Sequence, residues 1–169
     1  MKKLIPVLLS ILVGNFIFTQ QTLAQTQPIP NPYPTIPPFS FLKVDSSTFI
    51  TNSDIRKNHL TIIMIFSPTC EHCQRQTKNI IDSMDKFKDI EIVMGTFQPF
   101  SEMKKFYKDY HIADYSNIKM GYDAKFDFPK YYKFSSLPFL ALFDKSGKLI
   151  TTFEGSQKVS TLMNAFAKK

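Results

Sequence analysis

Residues 60–73 read LTIIMIFSPTCEHC. Leu60 to Phe66 is an unbroken apolar run rich in β-branched residues, the pattern of a central strand covered on both faces. Ser67-Pro68-Thr69 ends the run with turn-forming residues, and two cysteines follow at once. Beyond them Ile80, Ile81, Met84 and Phe87 recur at helical spacing, while Gln74, Arg75, Lys78 and Asp82 supply a polar face. The cysteines therefore open a helix directly after a buried strand.

That placement favours one chemistry. A first thiol at a helix start sits over unpaired backbone N–H groups and the positive end of the helix dipole, where thiolate charge is favoured. The spacing of Cys70 and Cys73 keeps the second sulfur on the same face, within reach of a mixed disulfide formed by the first. Cys70 is the expected nucleophile and Cys73 the resolving thiol. Between them, a protonated His72 favours the Cys70 thiolate and Glu71 opposes it, which points to a potential inside the range of roughly −270 to −120 mV spanned by such pairs. A zinc site normally takes four Cys or His ligands. Here only His59, His72 and His111 accompany the pair, so no metal and no other cofactor is expected. His59 and His111 have no partner that spacing identifies.

Outward from this stretch the elements are readable one by one. Phe39 to Val44 reads as a short strand and Asp45 to Asp54 as a polar turn region. Ile90 to Phe97 is a second buried strand, followed by a helix at Glu102 to Tyr110 and a short strand near Asn117 to Tyr122. Phe126 to Phe134 is partly helical at best, because Pro129 interrupts it. Its Phe126, Phe128, Tyr131, Tyr132 and Phe134 are expected in the core, with a docking surface as the second reading. Phe139 to Phe143 and Lys148 to Phe153 form a hairpin around Asp144-Lys145-Ser146-Gly147, with the glycine where a positive φ is needed. A last helix spans Lys158 to Ala167. The order implies an α/β domain with a central mixed sheet and helices on both faces.

Upstream, Lys2 and Lys3 precede an apolar stretch from Leu4 to Phe18, and Thr22-Leu23-Ala24 has the small residues of a cleavage site. Residues 1–24 are therefore expected to be a signal peptide cleaved near Ala24, leaving a periplasmic or secreted protein; an uncleaved anchor is the alternative, since the stretch approaches the roughly 20 residues that span a bilayer. Residues 25–38, which include QPIPNPYPTIPP, read as a proline-rich linker in extended conformation, and residues 39–169 as one folded domain. The 169 residues, 43% of them hydrophobic, suffice for one core. The formal charge of +7 is spread among acids, so solvated helix faces rather than a nucleic-acid track are expected.

FSPTCEHC after a buried strand, the Leu137-Pro138 step before another strand and the following KSGKLITTFEG resemble the thioredoxin superfamily. The polar segment before the first core strand, the region from Asn117 to Phe134 and the signal peptide are similar to its TlpA/ResA-like branch. The resemblance covers about Phe39 to Lys169. It implies a thioredoxin-like fold, a cis Pro138 facing the cysteine pair and a Leu137 backbone that meets an extended substrate strand. It also implies an exported thiol–disulfide oxidoreductase acting on protein thiols and disulfides, more often reducing than oxidising, fed by a membrane redox partner. Three positions depart from the family: Thr69 stands where Trp is typical, Met64 where thioredoxins bury an acid, and Gln76 where the ResA-like branch often has Glu. A binding or chaperone module without redox turnover, or a thiol peroxidase, are the competing readings. The peroxidase lacks its Thr and Pro, for which Ser67 and Ile63 stand, and a copper carrier of this fold would space its cysteines one residue wider.

Overall fold

A computed structural model describes residues 32–167. The expected signal peptide with its cleavage site, and the proline-rich stretch up to residue 31, lie outside them. The elements in chain order are β1 (Ser40–Lys43), β2 (Phe49–Thr51), β3 (Leu60–Ile65), α1 (Glu71–Ile81), α2 (Met84–Phe87), β4 (Ile90–Thr96), α3 (Phe100–Asp109), β5 (Ile118–Tyr122), β6 (Phe139–Phe143), β7 (Leu149–Glu154) and α4 (Val159–Ala167). All seven strands join one mixed sheet in the order β2-β1-β5-β4-β3-β6-β7.

The apolar runs take the centre. β3 pairs parallel with β4 and antiparallel with β6, and every residue of β4 and β6 is buried. The chain steps from β3 to β4 to β5 in one direction, all parallel, so right-handed crossovers place α1 and α3 on the same face. The hydrophobic residues of α4 pack there as well: Ile62, Met64 and Phe66 of the central strand region meet Cys73, Ile80, Phe87, Met103, Phe106 and Leu162. The opposite face is covered differently. Ile63, Ile65 and Val93 meet an aromatic layer of Phe39, Phe41, Phe128, Tyr132 and Phe139, whose one helical piece is the 3₁₀ turn Phe128–Lys130. Helices thus flank the sheet, but the α-helices share one face and Pro129 reduces the expected second-face helix to a single turn.

That aromatic layer needs space, and two glycines provide it. A Cβ on Gly95 would lie 2.6 Å from the Phe41 ring, and one on Gly121 2.7 Å from Phe41 Cβ. The proline-rich segment docks on the same side. Leu149 N–H donates to the Pro34 carbonyl at 2.9 Å, Ile36 N–H to that of Gly147 at 3.0 Å, and the Tyr132 hydroxyl to that of Tyr33 at 3.1 Å. Gly147 has φ +80° in the tight turn where the sequence requires it.

Two local readings are corrected. The stretch from Asp45 to Asp54 contains β2, which buries only Ile50. The Asp45 carboxylate makes the preceding turn, accepting the N–H groups of Ser47 and Thr48 at 2.9 Å each. The helical periodicity through Phe87 spans two helices: Ser83, at φ −120° and ψ 31°, breaks the run between α1 and α2. Among the described residues no helix is long and apolar enough to cross a membrane.

Candidate active site

β3 ends at the sheet's centre and the next turn carries the chain over its edge. Cys70 N–H donates to the Ser67 carbonyl at 3.2 Å, which turns Cys70 into the N-cap of α1, with extended φ −82° and ψ 119°. Its own carbonyl accepts the first helical bond from Gln74 N–H at 3.0 Å, and its side chain caps no backbone group. The thiol is left half-exposed at the helix start, free to react. Glu71 and His72 follow on the exposed side.

Cys73 is one turn further in and fully buried. Its sulfur accepts the Ser67 N–H at 3.5 Å. Burial, with the Cys70 thiol beside it, pushes the Cys73 thiol from an ordinary 9.0 up to about 12. Both sulfurs are free thiols. The pair is therefore asymmetric: one thiol meets solvent and the other is kept protonated behind it.

The chain returns to this pair at the start of β6. The Leu137–Pro138 peptide bond is cis and Pro138 is buried. The Leu137 carbonyl lies 3.9 Å from Cys70 Sγ. The loop before it is held by Glu154, whose Oε2 accepts from Ser135 N–H at 3.0 Å, Ser135 Oγ at 2.9 Å and Ser136 N–H at 2.9 Å; these bonds hold the Glu154 carboxyl below its usual range. The carbonyl of the cis Leu137–Pro138 bond thus faces the Cys70 sulfur, with Cys73 one turn behind it.

Other singled-out residues are placed as follows. His72 Nδ1 is hydrogen-bonded to Arg75 Nη2, and since a guanidinium only donates, the ring accepts there. Gln76 is fully buried on the Cys73 side of α1, where its Oε1 accepts the Gln157 N–H at 2.6 Å and its Nε2 has no partner among the described residues. It ties α1 to the loop before α4. Met64 belongs to the core and Thr69 is exposed. Phe128 and Tyr132 are core, whereas Phe126 is 51% exposed and meets Phe97 edge-on. His59 is at the far end of β3, next to Lys57, and His111 lies beyond α3; neither approaches the pair. Among the described residues no three His, Cys, Asp or Glu side chains gather as a metal site would need.

Sequence reasoning passed over Glu91. This fully buried carboxylate of β4 is shared by Arg56, whose Nε is 2.5 Å away, and by Lys119. It stands at the end of the sheet away from the cysteines. Glu91 falls inside an apolar run, and a lone acid in such a run is the signal that called for a basic partner.

The thioredoxin-like family profile matches residues 58–149, more than half of the chain and all of the segment from β3 to β6. The chain belongs to the thioredoxin-like family. Solved structures share this thioredoxin fold at low identity. The exposed lipoprotein thioredoxin of Streptococcus pneumoniae is 20% identical, with 79% of this chain and 100% of that one covered at a TM-score of 0.61. A secreted Mycobacterium tuberculosis disulfide oxidoreductase homologous to E. coli DsbE is 13% identical, with 78% and 96% covered at 0.63. StoA of Bacillus subtilis is 16% identical, with 76% and 96% covered at 0.55. A comparison with curated protein sequences found no match. Within the thioredoxin-like frame, the cysteines lie at the strand-to-helix junction and the carbonyl before the cis proline faces Cys70.

Proposed function

We propose that this chain is an exported thiol–disulfide oxidoreductase of the TlpA/ResA-like kind, which reduces disulfides of protein substrates in the periplasm or outside the cell. The observation that carries the reading is the asymmetric pair: a half-exposed Cys70 at a helix N-terminus, a buried Cys73 behind it and the Leu137 carbonyl 3.9 Å from the outer sulfur. In the first step the Cys70 thiolate attacks one sulfur of a substrate disulfide. A mixed disulfide forms and the other substrate sulfur leaves as thiolate. In the second step Cys73 loses its proton and attacks Cys70 Sγ. The Cys70–Cys73 disulfide forms, the second substrate sulfur departs, and two electrons have passed to the substrate. The Leu137 backbone next to Cys70 offers a carbonyl to an extended substrate segment. Turnover needs a dithiol donor, for which a membrane redox partner is the fitting class.

Reduction rather than oxidation is assigned from the resemblance to the TlpA/ResA-like branch, in which it is the commoner role. Export rests on the sequence signal at residues 1–24 and agrees with neighbours that are described as secreted or exposed lipoprotein.

A trapping experiment tests the reading. With a disulfide-bonded protein substrate, the Cys73→Ser variant should accumulate a mixed disulfide through Cys70 that dithiothreitol releases, and Cys70→Ser should form none. No adduct with Cys73→Ser, while the wild type leaves the same substrate unreduced, would refute it.

A further inference from the structure

Beside the cysteine pair lies a cleft of about 500 Å³ between α1 and the segment that joins β7 to α4. Its lining includes His72, Arg75, Leu137, Glu154, Gln157 and Lys158. Leu137 and His72 make it continuous with the reacting sulfur, because the Leu137 carbonyl is 3.9 Å from Cys70 Sγ and His72 separates Cys70 from Cys73.

The charge in this cleft is unbalanced. Among the described residues Glu154 is the one carboxylate in its lining, and its Oε2 is already engaged by three donors from Ser135 and Ser136. Among the described residues Arg75 is bonded to the His72 ring alone, and neither Arg75 nor Lys158 forms an ion pair. Elsewhere on the helices, by contrast, Lys78 and Lys105 each pair with an acid four residues on. Lys158 immediately precedes α4, whose first turn has no acidic residue, so the positive end of that helix adds to the same field.

We infer that this cleft selects protein substrates with an acidic residue flanking the reacting cysteine, whose carboxylate is held between Arg75 and Lys158. The inference rests on the redox reading above and adds substrate class to it. A substrate strand laid against Leu137 has side chains that alternate about the strand, so a residue next to the attacked cysteine is carried toward one side of the pair. On the α4 side it meets two cations without acidic partners. An acidic neighbour gains from both, and a basic one is repelled.

The test uses three disulfide-bonded peptides that differ only in the residue next to the cysteine: Glu, Gln or Lys. Exchange rates are measured at about 20 mM and about 500 mM ionic strength. The Glu peptide should react about fivefold faster than the Lys peptide at low salt, the scale of one or two exposed charge pairs, and less than about twofold faster at high salt, where screening removes the difference. Within Lys158→Glu the ratio should fall to about one or invert, and taking the ratio cancels any general loss of activity. Lys86→Glu, an equal charge change on α2, should leave the ratio as in the wild type. A wild-type ratio within twofold at low salt overturns the inference while the redox reading stands. A ratio that moves equally in Lys158→Glu and Lys86→Glu overturns it too, since net charge then suffices. Failure to exchange even the Gln peptide overturns the redox reading and this inference with it.

Discussion

The buried inner thiol sets a pH dependence that separates the two chemical steps. With Cys73 at about 12 instead of an ordinary 9.0, its thiolate fraction at pH 7 drops from about 1 in 100 to about 1 in 100,000. A more basic thiolate is also more nucleophilic. With a Brønsted coefficient of about 0.45 that returns roughly 20-fold over three pH units, so resolution at neutral pH should be about 50-fold slower than for an ordinary thiol. Ellman's disulfide resolves the steps, because attack by Cys70 releases one thionitrobenzoate and closure by Cys73 a second. In stopped flow the rate of the second release should rise about tenfold per pH unit from 6 to 9 without a plateau, as expected of a thiol near 12. A plateau below pH 9 would refute the reasoning, since it means that Cys73 ionises normally or that a nearby base takes its proton. The sign carries over to stability. A raised folded-state value means that Cys73 stabilises the reduced fold below pH 9, and this contribution is lost as pH climbs toward 12.

Three further outcomes are expected in denaturant titrations of the reduced protein. Gly121→Ala should cost about 1–3 kcal/mol through overpacking, because its Cβ would fall 2.7 Å from Phe41 Cβ and 3.0 Å from the Leu42 carbonyl oxygen, both fixed by the sheet. Replacing Arg56 and Lys119 together by Met should cost about 3 kcal/mol, the low end for a buried charge left alone, with either single change costing less than half of that because the other cation still serves Glu91. Gln76→Leu should change stability by less than about 1 kcal/mol in spite of its full burial: it strands the Gln157 N–H but removes an Nε2 that has no partner among the described residues. Additive single losses at Arg56 and Lys119, or a loss above about 2 kcal/mol at Gln76, would contradict these assignments.

Much of the fold was legible because its centre is built from predominantly apolar runs. Leu60 to Phe66, Ile90 to Phe97 and Phe139 to Phe143 are β3, β4 and β6, and burial on both faces leaves no other pattern for them. β2 was hidden because it is an edge strand with one buried residue, Ile50, and its hydrogen bonds to β1 leave no periodic trace. The break at Ser83 was hidden for the opposite reason: apolar residues continue at helical spacing into α2, and the pattern does not register a single non-helical residue between. Cys70 and Cys73 could be named from their spacing at the strand-to-helix junction, and Pro138 only from the resemblance of the Leu137-Pro138 step to the thioredoxin superfamily. Gln76 was seen only as a departure from a family pattern. Yet it occupies the stripe Cys73-Gln76-Thr77-Ile80 that α1 buries, and a polar residue in such a stripe needs a partner. The cleft lined by Arg75 and Lys158 joins residues 83 positions apart, which no local pattern connects.

The most direct measurement is the reduction potential of the pair. The purified domain would be equilibrated in glutathione buffers of graded ratio, quenched with acid, and its Cys70 and Cys73 thiols counted by alkylation and mass. A reversible two-electron transition near about −250 mV or lower is expected of an exported reductase. A midpoint near about −150 mV or higher would contradict the direction assigned to it. Thiols that stay reduced at every ratio would contradict thiol–disulfide exchange itself.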